Sequence, residues 1–265
     1  NKTLNLKNGG LIVPAGQTLT NEGLLSIGGA EPDKDDGKSV GNVTVEKDAI
    51  LKSAGRIYVS MNSNLTNNGT FDMTAGELKS PGMALINKGY AAIAGQVQAG
   101  GSDKASGIQN EDHIHVIPGG SITYEGHFDN MNGARLTNAG TIICKGDFNN
   151  AEDAALLNEG TITLSGSRLL NRGHIGNGRG DYSITLENGA TLQNGDEQAS
   201  NTLATFISQG TLTIERGCTF ENTGSFTNEG TCTNDGSFEH HGTGSNDEDF
   251  INNGTFNCTA EFTNS

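Results

Sequence analysis

Between Phe220 and Gly242 the chain reads F-E-N-T-G-S, F-T-N-E-G-T, C-T-N-D-G-S and F-E-H-H-G-T, four hexads on one skeleton without an insertion. Phe220, Asn222, Gly224, Phe226, Asn228, Gly230, Cys232, Asn234, Gly236 and Phe238 share one parity and fall on one face of an extended chain. Glu, Thr, Ser and Asp take the other face. Three hexads make a longer repeat of 18, in which Phe220 returns as Phe238 and Phe256, and Asn234 returns as Asn252. A short strand cannot bury its apolar side alone, so such units stack on their neighbours. The pattern predicts an all-β fold, a single-stranded parallel β-helix (β-solenoid).

The same unit recurs more loosely upstream as [LIF]-x-N-x-G-x-[LIF]. It starts at Leu19, Leu65, Leu85, Leu136, Leu156 and Leu169, with a variant at Phe206. Asn67 to Asn87 and Asn138 to Asn158 are both steps of 20 residues. Coils of about 18–22 residues with inward positions every second residue suit a solenoid, and no helical repeat explains a period of two. Apolar-x-apolar segments such as Val43–Val45, Ile114–Val116 and Ile184–Leu186 supply the remaining sides of each coil. Helix content should be very low. The expected organisation is one solenoid over 1–265, looser over 1–205 and regular over 206–265.

Asn67, Asn87, Asn138, Asn158, Asn222, Asn228, Asn234 and Asn252 sit on the inward parity, where an unpaired amide is costly. Stacked coil on coil they should form an internal, structural ladder. Gly and Asn at the corners are expected to adopt left-handed backbone.

The chain carries 16 Lys+Arg against 31 Asp+Glu, a formal charge of −15. That argues against nucleic acid and anionic membranes as partners, and no apolar run is long enough to insert in a bilayer. The chain opens without a signal peptide and stops inside a repeat, so it reads as part of a longer, trimmed protein. Cys144, Cys218, Cys232 and Cys258 lack metal-type spacing. They read as buried free thiols, with a Cys218–Cys232 or Cys232–Cys258 disulfide as the alternative.

Three interruptions read as projecting loops: Gly28–Gly41, Gly95–Asp112 and Gly176–Tyr182, with a smaller break at Gly195–Thr202. Loops on a solenoid collect function. Asp33, Asp35 and Asp36 resemble a fragment of a calcium loop but lack its spacing, so a solvated acidic loop is preferred to a calcium site. Asp247-Glu248-Asp249 reads the same way, and no cofactor is expected. His113 and His115 share a strand face as a metal pair would, without an obvious third ligand. Arg179-Gly180-Asp181 is an integrin-type tripeptide in a Gly-rich loop, and coincidence is its plain reading. His240 falls on the Asn parity as a substitute for it.

The repeated L-x-N-x-G-T-[IF] units at Leu65–Phe71, Leu136–Ile142 and Leu156–Ile162 resemble those of bacterial secreted and cell-surface adhesin-like proteins, the filamentous-haemagglutinin-like and autotransporter passenger regions. The resemblance implies a right-handed β-helix exported beyond the cytoplasm, serving as a stalk or as a binding surface for host or cell-surface glycans or proteins. The uniform C-terminal hexads are instead similar to left-handed β-helices of the acyltransferase kind, which leaves handedness open there. The expected function is structural and adhesive, without chemistry. A polysaccharide-active enzyme is the alternative, through carboxylates paired on adjacent coils, and a passive spacer is another. Ice binding is the remaining class: Thr161-x-Thr163, Thr211-x-Thr213 and Thr231-x-Thr233 are outward pairs. Asp72, Ile143 and Ser26 in other copies make that ladder read as broken.

Overall fold

A computed structural model describes residues 3–6, 8–29, 40–100, 106–196 and 204–265. Among these, every element is a short strand and none is a helix. Neighbouring strands pair in parallel in three sheets, one strand of each coil to each sheet. The chain is therefore an all-β parallel solenoid. A parallel pair needs a long crossover; here the other two strands of the coil provide it.

The contacts divide the chain into two compact units, Asn1–Phe128 and Asp129–Ser265. In the first unit, a representative coil has strands Asn64–Asn67 (second sheet), Thr70–Met73 (third) and Glu77–Ser80 (first). Leu51, Phe71, Ala91 and Ile114 stack in register in the third sheet's inward column, all fully buried. In the second unit the same three-sheet arrangement recurs. Its inward columns include Ile142, Ile162, Ile184, Leu212 and Cys232 in the first sheet. Phe220 and Phe238 stack in the second sheet, and Phe206 and Phe226 in the third.

The 18-residue coils place one hexad in each sheet: Phe220 in the second, Phe226 in the third, Cys232 in the first. Their rings fill the core by direct contact, Phe220 against Phe238 at 4.7 Å and Phe226 against Phe238 at 5.3 Å between centroids. Alternation explains how so few apolar residues suffice, since most of them fall inward.

The asparagines form ladders, and each of the three sheets carries at least one asparagine pair of this kind. In the first unit's second sheet, Asn67 Nδ2 donates to Asn87 Oδ1 at 2.8 Å and Asn87 Nδ2 to Asn110 Oδ1 at 2.9 Å. In the second unit a ladder at the same corner runs from Asn130 through Asn150, Asn171 and Asn194 to Asn222. Asn138, Asn158 and Asn177 form a ladder on the third sheet, where Asn228 also donates to Asn246. Asn234 donates to Asn252 on the first sheet. Each Nδ2 also reaches a backbone carbonyl of the next coil, as Asn67 does to Tyr90 O at 2.9 Å.

Two corner expectations are corrected. The ladder asparagines and the glycines two residues beyond them are not left-handed; positive φ occurs instead at tight turns such as Asp48, Asp153 and Gly133. Glycine is required in Asn-x-Gly for closeness. A Cβ at Gly89 would lie 2.3 Å from the carbonyl oxygen of Gly69 in the preceding coil. The expected loops are also shorter than read. Gln96–Ala99 and Gly107–Asn110 are strands within 95–112, and Gly176 and Asn177 end the strand His174–Asn177.

Candidate functional site

With the inward positions occupied by core and ladder, any chemistry falls to the outward positions and corners. On the third sheet of the first unit, Tyr90–Ile93 pairs with His113–Val116, Tyr90 opposite His113 and Ala92 opposite His115. Alternation buries Ala91, Ile93, Ile114 and Val116 and turns Tyr90, His113 and His115 outward. The Tyr90 ring meets His113 edge-on at 5.3 Å, and the two imidazoles lie nearly parallel with centroids 6.2 Å apart. Tyr90 Oη contacts His115 Nδ1 at 3.5 Å. Ala92 lies between Asp72 and His115 in register. Of the four tyrosines, Tyr58 and Tyr124 are buried, whereas Tyr90 is 38% exposed.

Among the described residues, His113 and His115 belong to no group of three metal-type ligands. Glu111 is engaged by Lys88 Nζ at 3.1 Å and Gln109 Nε2 at 2.6 Å. Among the described residues no group of three or more His, Cys, Asp or Glu gathers as metal ligands do. Asp33, Asp35 and Asp36 lie outside the described residues. In the other acidic segment, Asp247 Oδ1 accepts from Ser265 Oγ at 2.8 Å and Glu248 O from Asn246 Nδ2 at 2.6 Å.

Arg179, Gly180 and Asp181 are exposed on the corner leading to Ser183–Glu187, with Gly180 at φ +124°. The four cysteines are free thiols. Cys144, Cys218 and Cys232 are buried, and burial pushes the Cys232 thiol up to about 12. Cys258 departs from the buried reading: it is exposed and stands opposite His240 in the second sheet.

Adjacent coils do pair carboxylates, Glu221 with Glu239 on the outward side of the second sheet. Hydrogen bonds from Ser237 and Asn257 hold the Glu239 carboxyl below its ordinary range. A glycosidase acid needs the opposite shift, so Glu239 is arranged as a fixed anion.

The threonine pairs are less broken than their sequence suggests. On the first sheet of the second unit, Thr141/Ile143, Thr161/Thr163, Ser183/Thr185, Thr211/Thr213 and Thr231/Thr233 occupy consecutive strands in unbroken register. Asp72 belongs to the third sheet and Ser26 to the first unit, so neither falls among these five strands; Ile143 does, and the next strand ends the array with Asp249 opposite Thr231 and Ile251 opposite Thr233. Coil lengths that vary hid the alignment, because equal spacing in sequence does not mean equal position in the coil.

No protein-family model matches the chain, and no curated protein matches it. Among solved structures it is similar to one described as the crystal structure of a TibC-catalysed hyper-glycosylated fragment of TibA, residues 55–350. The identity is 14% and the TM-score 0.34, over 97% of this chain and 94% of that one.

Sequence reasoning set aside the Tyr90 cluster because it weighed the histidines only as metal ligands. The signal was there in Tyr90: every other copy of its motif carries a smaller residue at that position.

Proposed function

We propose that this chain is a structural and adhesive segment of a bacterial surface or secreted protein, whose lateral face holds a glycan or protein of a host or neighbouring cell. The observation that carries the reading is the outward cluster of Tyr90, His113 and His115 on a rigid parallel sheet. An exposed tyrosine offers an apolar face to a sugar ring while its hydroxyl and adjacent imidazoles offer hydrogen bonds. The stacked coils fix the spacing of these groups, so little conformational entropy is lost on binding. The role involves no chemistry and no cofactor, and the −15 charge disfavours nucleic acid and anionic membranes.

The test is a glycan-array and matrix-protein screen on the purified chain, with and without calcium. A specific ligand whose affinity falls about tenfold in Tyr90→Ala supports the reading, with His113→Ala and His115→Ala giving parallel losses. Silence across the screen, or a ligand indifferent to all three substitutions, overturns it and favours a passive spacer. A hit lost only without calcium would move the search to Asp33, Asp35 and Asp36.

A further inference from the structure

We propose that the threonine array on the first sheet of the second unit binds the surface of ice. The proposal is independent of the Tyr90 cluster, which belongs to the other unit.

Three observations carry it. The first is periodicity in two directions. Adjacent strands of a sheet are ~4.8 Å apart and outward residues along one strand ~6.7 Å apart. The paired registers from Thr141 to Thr233 contain no slip that would disturb either repeat. Both lie close to oxygen–oxygen repeats on prism-type faces of hexagonal ice. A protein, a glycan in solution or a lipid surface presents no such two-dimensional lattice.

The second is chemistry. Each position supplies a hydroxyl, a methyl or both, and none is charged. The outward positions of the other two sheets in this unit include Glu221, Glu239, Arg135 and His174. A charge draws water into its own radial shell and opposes a lattice. Charge on this face lies at the border of the array, with Glu187 at the end of the strand Ser183–Glu187 and Asp249 opposite Thr231 on the next strand. Ile143 supplies apolar surface where a hydroxyl is missing, which leaves the first column intact.

The third is availability and stiffness. The side chains of the array are half-exposed, and no other described protein group engages their hydroxyls. On the third sheet, by contrast, Thr205 Oγ1 is taken by His174 Nδ1 at 2.6 Å. Threonine is restricted at χ1, so repeated threonines in one backbone setting aim their hydroxyls and methyls alike. Beneath them Ile162, Ile184, Leu212 and Cys232 are buried, and the parallel ladder fixes the backbone. Water held at such spacing is already partly arranged as the solid, and the face adsorbs where the lattice continues it.

The experiment uses the whole chain and ice itself as the probe. Thermal hysteresis, inhibition of ice recrystallisation and partition into a growing ice hemisphere are measured for the unaltered chain, for Thr185→Tyr and Thr213→Tyr, which raise a ring above the plane, and for Thr227→Tyr on the third sheet. All are checked for folding by far-UV circular dichroism. The expected result is activity in the unaltered chain, lost in both array variants and kept in Thr227→Tyr. Absence of activity in the folded, unaltered chain overturns the proposal. So does equal activity in all folded variants, or equal loss in Thr227→Tyr. Binding to crystalline cellulose or chitin without ice activity, or self-association through the face that Thr185→Tyr abolishes, overturns it in favour of those occupants. If one array variant fails to fold, the other decides.

Discussion

The side-chain amide of Asn67 donates to Oδ1 of Asn87, one coil away, at 2.8 Å, and both residues are fully buried. Asn67 Oδ1 in turn accepts from the backbone N–H of Gly69, and Asn87 Nδ2 donates to the carbonyl of Gly89 at 2.6 Å. One side chain thus ties two coils and closes its own corner. A carboxylate of the same shape cannot do this, because it lacks the donor.

Asn87→Ala should destabilise the chain by about 1–3 kcal/mol for each buried group left without a partner. Asn87→Asp should cost more, since it sets an acceptor against Asn110 Oδ1 and buries a charge. Asn68→Ala, outside the ladder, should stay within about 0.5 kcal/mol. Urea unfolding of the three variants checks the order; equal losses at Asn68 and Asn87 would show the ladder to be incidental.

Glycine has two separate uses here, and substitution should separate them. Gly133 has φ +75° with nothing within 4 Å of an added Cβ, so Gly133→Ala meets only the left-handed backbone penalty of roughly 1–2 kcal/mol. At Gly89 the φ is ordinary but the added Cβ collides with the backbone of the preceding coil. Coils would have to part, so Gly89→Ala should be the more damaging. Thermal melts giving the reverse order would contradict the close-approach account.

Much of the architecture was legible because its signals are local. Parity in the hexads identified Phe220, Phe226 and Phe238 as core, and spacing identified the coil. The rest depended on register. Asn222, Asn228 and Asn234 look like one series but belong to three sheets, since three hexads make one coil. Asn110 and Asn177 went unnoticed because Gly-rich flanks made their strands look like loops. The threonine array was dismissed partly on Asp72, which belongs to a different sheet, and on Ser26, which belongs to the other unit. Positive φ was assigned to the wrong glycines because sequence shows composition and not the carbonyl of the coil below.

Parity itself is open to a direct contrast. Phe238 is fully buried among Phe220, Phe226 and Phe256, whereas Thr227 points outward. Removing a buried Phe already costs roughly 3–5 kcal/mol, and Phe238→Asp adds an unpaired buried charge. Neighbouring coils should unfold, with loss of far-UV strand signal. Thr227→Asp should leave the melt almost unchanged. Equal tolerance at both sites would refute the inward–outward assignment.

His240 gives the fold a pH dependence whose direction follows from its place in the ladder. It stands where Asn would, directly opposite Asn222, whose Nδ2 lies 3.1 Å from His240 Nδ1. An amide nitrogen only donates, so Nδ1 accepts and the proton sits on Nε2, which donates to the carbonyl of Glu261 at 3.1 Å. Protonating Nδ1 would set two donors against each other in a buried site. Burial is the largest cause holding the His240 pKa below 6.5; the bond to Glu261 opposes it and the nearby His241 reinforces it. The unfolded chain therefore takes up protons at a higher pH than the folded one. Stability is fully present above about pH 6.5 and is lost as pH falls below it toward the folded pKa. His174, also lowered by burial, acts in the same direction. The melting temperature should thus be lower near pH 5 than near pH 7.5, and His240→Asn should narrow that gap while restoring an amide for Asn222. An unchanged gap in the folded His240→Asn chain would assign the whole effect to other groups.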